Sequence, residues 1–108
     1  MKYIEERLHH GKENALDGKA LLKLTGFLSI RELQREIERE RRQGVLIISD
    51  FVNGGYHLPS KQRLQAWSEI STFHTTLRAK AISTLDVLSH TRRALGLDEQ
   101  QLTLDGWQ

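Results

Sequence analysis

The chain has 108 residues, of which 38% are hydrophobic and 28% charged, with no cysteine and a formal net charge of +2. These values fit one domain with a modest core, and they exclude a membrane protein, a disordered chain, a disulfide scaffold and a thiolate metal site. The charge is too small to coat nucleic acid wholesale, so DNA binding would require a local basic face.

No apolar run nears the roughly 20 residues that cross a bilayer, and the opening MKYIEERLHH has no apolar signal stretch. A cytoplasmic setting without membrane association is expected. The sole proline, Pro59, follows Gly54 and Gly55. These breakers predict a first region over 1–59, a helical region over 60–96 and a tail over 97–108.

Tyr3 to His9 reads as a short amphipathic helix, with Ile4 and Leu8 one turn apart. Gly11 and Asn14 break that pattern. Asp17 can cap a second helix through Ala20, Leu21, Leu22 and Leu24, with Gly26 as its left-handed end. Ser29-Ile30-Arg31-Glu32 is a capping box, which predicts a third helix from Ile30 to about Gln43, ended by Gly44. Two helices joined by the tight turn from Thr25 to Leu28 read as a helix-turn-helix.

Val45 to Ile48 is a β-branched apolar run, and Gly55 to Leu58 a second short strand across the Asn53-Gly54 turn signal. A helix-turn-helix followed by a hairpin has the winged-helix order. From Ser60 to about Leu95 there is no glycine or proline, which predicts a helix of about 50 Å. Its apolar stripe runs through Leu64, Trp67, Ile70, Phe73, Leu77, Ala81, Leu85, Leu88 and Leu95. A stripe that long calls for a partner. A homodimer pairing through Trp67, Ile70, Phe73, His74, Leu77, Ala81, Leu85 and Leu88 is the simplest answer. A break near Ser83-Thr84, folding two helices on each other, is the alternative. The expected fold is therefore mainly α with a small β-hairpin, a winged helix-turn-helix followed by a long C-terminal helix.

The third helix carries the strongest binding signal. At 100° per residue, Ile30, Leu33 and Ile37 share one side, the predicted core face. Arg31, Arg35, Glu38, Arg39 and Arg42 lie opposite, with Gln34 beside them. Such a face suits the major groove, because the arginine fork can bond guanine O6 and N7 or a phosphate. Glu32, Glu36 and Glu40 form a flanking strip. The alternative is a solvated face laced with Glu–Arg pairs at helical spacing. Lys19 and Lys23 on the second helix, and Lys61 and Arg63 at the start of the long one, could hold phosphates.

The hairpin tip, Phe51 to Gly55, has no lysine or arginine and reads as a plain turn with Phe51 packed. One of Tyr56 and His57 should face the core, and Tyr56 is the expected one. The five histidines, His9, His10, His57, His74 and His90, form no HxxxH pair, so no metal and no cofactor are expected. Nucleotide-binding and nucleophile-elbow motifs are missing, and no catalytic residue is predicted.

The pieces His10-Gly11-Lys12-Glu13-Asn14-Ala15, Arg31-Glu32-Leu33-Gln34, Glu38 to Gly44 and Gly54-Gly55-Tyr56-His57-Leu58-Pro59 resemble a family of small, largely uncharacterised phage and prophage winged helix-turn-helix proteins. The resemblance implies a winged-helix fold and a role on double-stranded DNA in phage replication or transcription regulation, within a bacterial host cell. It implies no catalytic residues. In the tail, Gln101-Leu102-Thr103-Leu104 resembles the Gln-Leu-Ser/Asp-Leu-Phe peptide by which bacterial proteins bind the replication sliding clamp. Asp105 replaces the final Phe here, and Trp107 offers an aromatic group two residues on. The alternative has Leu102, Leu104 and Trp107 folded back on the long helix. The rival to DNA binding is thus a protein-interaction module that docks a replication partner through the long helix or the tail.

Overall fold

Helix starts fall where short oxygen-bearing side chains can satisfy the first free N–H groups. The computed structural model describes residues 3–50 and 54–97. Asp17 Oδ1 accepts from the Ala20 N–H at 2.8 Å, and α1 spans Gly18–Thr25. Gly26 ends it at φ 77°, with its N–H donating to Leu22 O at 2.9 Å. Ser29 Oγ accepts from the Glu32 N–H at 3.2 Å, and α2 spans Ile30–Arg42. The Glu32 carboxylate reaches back to the Leu28 N–H at 3.2 Å, not to Ser29, so the reciprocal bond closes one residue earlier than expected. After Pro59, α3 spans Arg63–Leu95.

The small sheet has three strands, one more than predicted. β1 is Leu16–Asp17, β2 is Ile48–Asp50 and β3 is Gly55–His57, all antiparallel in the order β1-β3-β2. β1 pairs Leu16 with Tyr56 and Asp17 with Gly55. Two residues leave no alternation to read, which is why β1 was not legible. A Cβ on Gly55 would lie 2.8 Å from Ala15 Cβ, so this approach of the chain toward β3 needs glycine. β2 starts at the end of the run predicted as a strand. Val45 and Ile47 are buried in a turn after α2, held by Val45 N–H to Glu40 O at 3.1 Å and Ile47 N–H to Val45 O at 3.0 Å. Burial rather than pairing explains Val45 and Ile47, whereas Leu46 is exposed and Ile48 pairs with His57. Of the expected hairpin tip, Phe51 to Gly55, residues 51–53 lie outside the described residues.

The chain divides into Met1–Phe73 and His74–Gln108. The core of the first unit is Ile4, Leu8, Leu21, Leu33, Ile37, Val45, Ile47 and Leu58, flanked by Tyr3, Leu16, Leu22, Phe27 and Tyr56. Tyr56 packs against this core as expected, yet His57 is the more deeply buried, at 2% exposure. Its Nδ1 lies 2.8 Å from Leu58 O. The predicted N-terminal helix is only a 3₁₀ turn, Glu5–Arg7. A segment that short cannot bear the cost of helix nucleation alone, and its N–H groups are satisfied from elsewhere. Glu40 Oε2 accepts from the Ile4 N–H at 2.7 Å, and Oε1 from the Glu5 N–H at 2.9 Å.

Glu40 overturns its predicted place in the exposed strip, because it is 0% exposed. On the helical wheel it falls beside Leu33, and the two backbone donors make burial there tolerable. Burial raises its carboxyl above the ordinary value, and a hydrogen bond with Glu36 adds to this, against the pull of the two N–H groups.

Glu69, within the first unit, has a similar task. Its Oε1 accepts from the Ser60 N–H and its Oε2 from the Lys12 N–H, each at 2.8 Å, and Gln65 Nε2 donates at 2.9 Å. Burial opposes its ionisation, but bonds from Gln65, Lys12 and Ser60, with His57 nearby, outweigh that and hold the carboxyl below its usual range.

In the second unit, Ser83 and Thr84 lie inside α3, so the helix break considered there is not seen. Gly96, at φ 72°, ends the helix. Gly96 N–H bonds to Arg93 O at 3.0 Å and Leu97 N–H to Arg92 O at 2.9 Å, the paired bonds of a Schellman motif. Among the described residues no helix is long and apolar enough to cross a membrane.

Glu40→Ala is expected to lower stability by about 2–3 kcal/mol, because it orphans two backbone donors. Glu40→Gln should lose less, since its carbonyl oxygen still serves one donor. Urea denaturation of the three proteins checks this. An alanine variant as stable as the wild type would remove the role assigned to Glu40.

Candidate nucleic-acid interface

The inward side of α2 is set by Leu33, Ile37 and Glu40, all buried. At 100° per residue, Arg31, Arg35, Glu38 and Arg42 stand on the opposite side. All four are exposed, and so is Gln34. Among the described residues, none bonds or ion-pairs with Arg31, Arg35 or Arg42. Three guanidinium groups are thus presented together along one helical stripe.

Arg39 differs. It is half-buried, and its Nε lies 2.8 Å from Glu36 Oε1 while Nη2 engages Glu36 Oε2. This two-point pairing commits its fork to a neighbour. The same hydrogen bond, working against burial, holds the Glu36 carboxyl at about 2.

Sequence reasoning missed Arg41. Its Nε donates to Ile47 O at 2.9 Å and its Nη2 to Ser49 Oγ at 2.7 Å. Its Nη1 donates to Glu38 Oε1 at 2.9 Å, and its guanidinium sits 5.1 Å from the centre of the Phe73 ring. The wheel offered a signal, since Arg41 falls nearer the side of Ile37 than that of Arg35. Ile30 corrects the predicted core face, being 42% exposed. At the first position of α2 it lies against the start of α1: a Cβ on Gly18 would come within 3.1 Å of Ile30 Cδ1.

Lys19 and Lys23 are exposed one turn apart on α1. Lys61 and Arg63 are exposed around the start of α3, where Ser60 Oγ accepts from the Gln62 N–H at 3.0 Å.

The residues expected at a dimer interface are divided. In the first unit Trp67 is 71% exposed and Leu64 78%, Ile70 is half-buried, and Phe73 is buried beneath Arg41. Phe73 therefore belongs to the packing of that unit. In the second unit His74, Leu77 and Ala81 are exposed, and Leu85 and Leu88 are half-buried. Gln101, Leu102, Leu104 and Trp107 lie outside the described residues. Among the described residues no group of three or more His, Cys, Asp or Glu could hold a metal ion.

No family model, curated protein or solved structure matches the chain.

The Arg39–Glu36 pair has a pH signature. The Glu36 carboxyl, at about 2 in the fold against an ordinary 4.5, stabilises the fold fully above its unfolded value. That contribution is lost as pH falls from about 4.5 toward about 2. Glu40, with its value raised in part by Glu36 itself, acts in the opposite direction, so the comparison with Glu36→Gln is made with Glu40→Gln in both proteins. The stability gap between Glu40→Gln alone and Glu40→Gln with Glu36→Gln should close over that window in thermal melts. A gap independent of pH would show that Glu36 is not held ionised by Arg39.

Proposed function

We propose that this chain is a winged-helix DNA-binding protein of phage or prophage type, whose α2 enters the major groove of a duplex. The element order β1-α1-α2-β2-β3, with β1 closing the sheet beside β3, supports the winged-helix reading. The observation that carries the DNA reading is the exposed stripe of Arg31, Arg35 and Arg42 opposite the buried side of α2. Unengaged arginine forks can bond guanine edges or phosphates at two points. Lys19 and Lys23 supply phosphate contacts that set the docking angle. Arg39 contributes charge, with its fork directed to Glu36.

The exposed acidic residues on α2 weaken the field that draws a duplex in, and the net charge is only +2. Two copies acting together would offset that weakness. The proposed homodimer pairs α3 through Trp67, Ile70, His74, Leu77, Ala81, Leu85 and Leu88. A role in replication or in transcription regulation fits such a protein. A second reading is favoured by the exposure of Leu64 and Trp67, large apolar side chains that a protein partner would cover. In it, the fold is a scaffold, and the long helix or tail docks a replication protein such as a sliding clamp.

In gel-shift assays on duplex DNA, binding should fall steeply with salt, by a log–log slope of about 0.9 per phosphate contacted. Arg35→Ala should weaken binding by about 1–3 kcal/mol if it reads a base. No retention even at about 50 mM salt would remove the DNA reading and leave the interaction module. In sedimentation, Trp67→Ala together with Leu77→Ala should convert a dimer to a monomer. A wild type that stays monomeric while binding duplex would remove the homodimer.

A further inference from the structure

An acidic side chain in the middle of an arginine stripe is costly for a surface meant to meet phosphate. Glu38 occupies that place, between Arg31 and Arg35 on one side and Arg42 on the other along the same face of α2. Its side chain is 57% exposed, so burial does not account for it. Nor is it left to swing freely. Arg41 Nη1 donates to Glu38 Oε1 at 2.9 Å, and Arg41 is itself fixed by Ile47 O, Ser49 Oγ and the Phe73 ring. One carboxylate oxygen is thus anchored to a side chain tied into the fold. The other, Oε2, is bonded by no described residue.

We infer that Glu38 is a specificity-determining residue, which Arg41 positions so that its free carboxylate oxygen accepts from the N4 amino group of a cytosine in the major groove. This rests on the DNA reading above. The chemistry follows from the acceptor-only character of an ionised carboxylate. Among the major-groove edges, cytosine presents a donor without an adjoining acceptor of its own, whereas adenine's amino group sits beside N7, which repels the carboxylate. Guanine and thymine offer only acceptors there and are rejected. Neighbouring Arg31, Arg35 and Arg42 favour guanine by the opposite logic. Together they describe a duplex rich in G·C pairs, with a cytosine at the Glu38 position flanked by guanines. The carboxylate also disfavours phosphate contact, which lowers binding to unrelated duplex and sharpens the choice.

The test is selection of binding sites from a pool of random duplexes by wild type, Glu38→Gln, Glu38→Ala and Arg41→Lys. Wild type should enrich cytosine at one position on the order of tenfold. Glu38→Gln should move that position toward adenine, since an amide can both donate to N7 and accept from N6. Glu38→Ala should flatten that position alone, weakening binding to the cytosine-containing site while binding to unrelated duplex rises. Arg41→Lys, with folding checked by circular dichroism, should weaken preference at that position and leave the arginine-read positions unchanged. If wild type retains duplex with no preference for cytosine, or if Glu38→Ala selects the same sites as wild type, the role of Glu38 is overturned while DNA binding stands. If Arg41→Lys weakens every position in parallel, the positioning role of Arg41 is overturned. If no protein enriches any duplex, the DNA reading itself falls, and this inference with it.

Discussion

The carboxylate of Glu40 holds two backbone N–H groups from a segment more than thirty residues earlier, at Ile4 and Glu5. That grip decides the rotation of α2. With Leu33, Ile37 and Glu40 turned inward, the geometry of a 3.6-residue helix leaves Arg31, Arg35 and Arg42 no choice but the outside. The same contact seats Ile4 and Leu8 in the core without a regular helix at the start of the chain. Losing it would free the N-terminal turn and the angular setting of the arginine face together.

Charge on α2 is sorted by partner as well as by position. Arg39 is committed to Glu36, and Arg41 to Ile47, Ser49, Phe73 and Glu38. The remaining stripe is presented outward from a helix that these pairs and the core keep still. The proposed groove-reading role draws on that division, with Arg41 as a support, Glu38 held by it, and the unengaged arginine forks as the other readers.

Buried carboxylates recur in this small fold because its loops are rich in backbone donors and poor in regular partners. Glu69 joins the turn at Lys12 to the segment at Ser60 just as Glu40 joins α2 to the N-terminus. A short domain cannot bury much apolar area. Long-range hydrogen bonds from backbone N–H groups to buried carboxyl oxygens tie its irregular segments down.

The sequence alone determined the two capped helices, because Asp17 and Ser29 act on neighbours three residues away and such chemistry is local. It determined the hairpin's second strand at Gly55, the long helix free of glycine and proline, and the outward stripe of Arg31, Arg35 and Arg42. Tertiary structure decided the rest. β1 exists because β3 offers it a free edge, not through any pattern in Leu16 and Asp17. Val45 and Ile47 read as a strand by composition, yet fill the core from a turn. Glu40 read as a surface charge, and only distant backbone donors make its burial, like that of Glu69, stable. A periodicity reports which face a residue is on; it does not report which remote N–H group will meet it there.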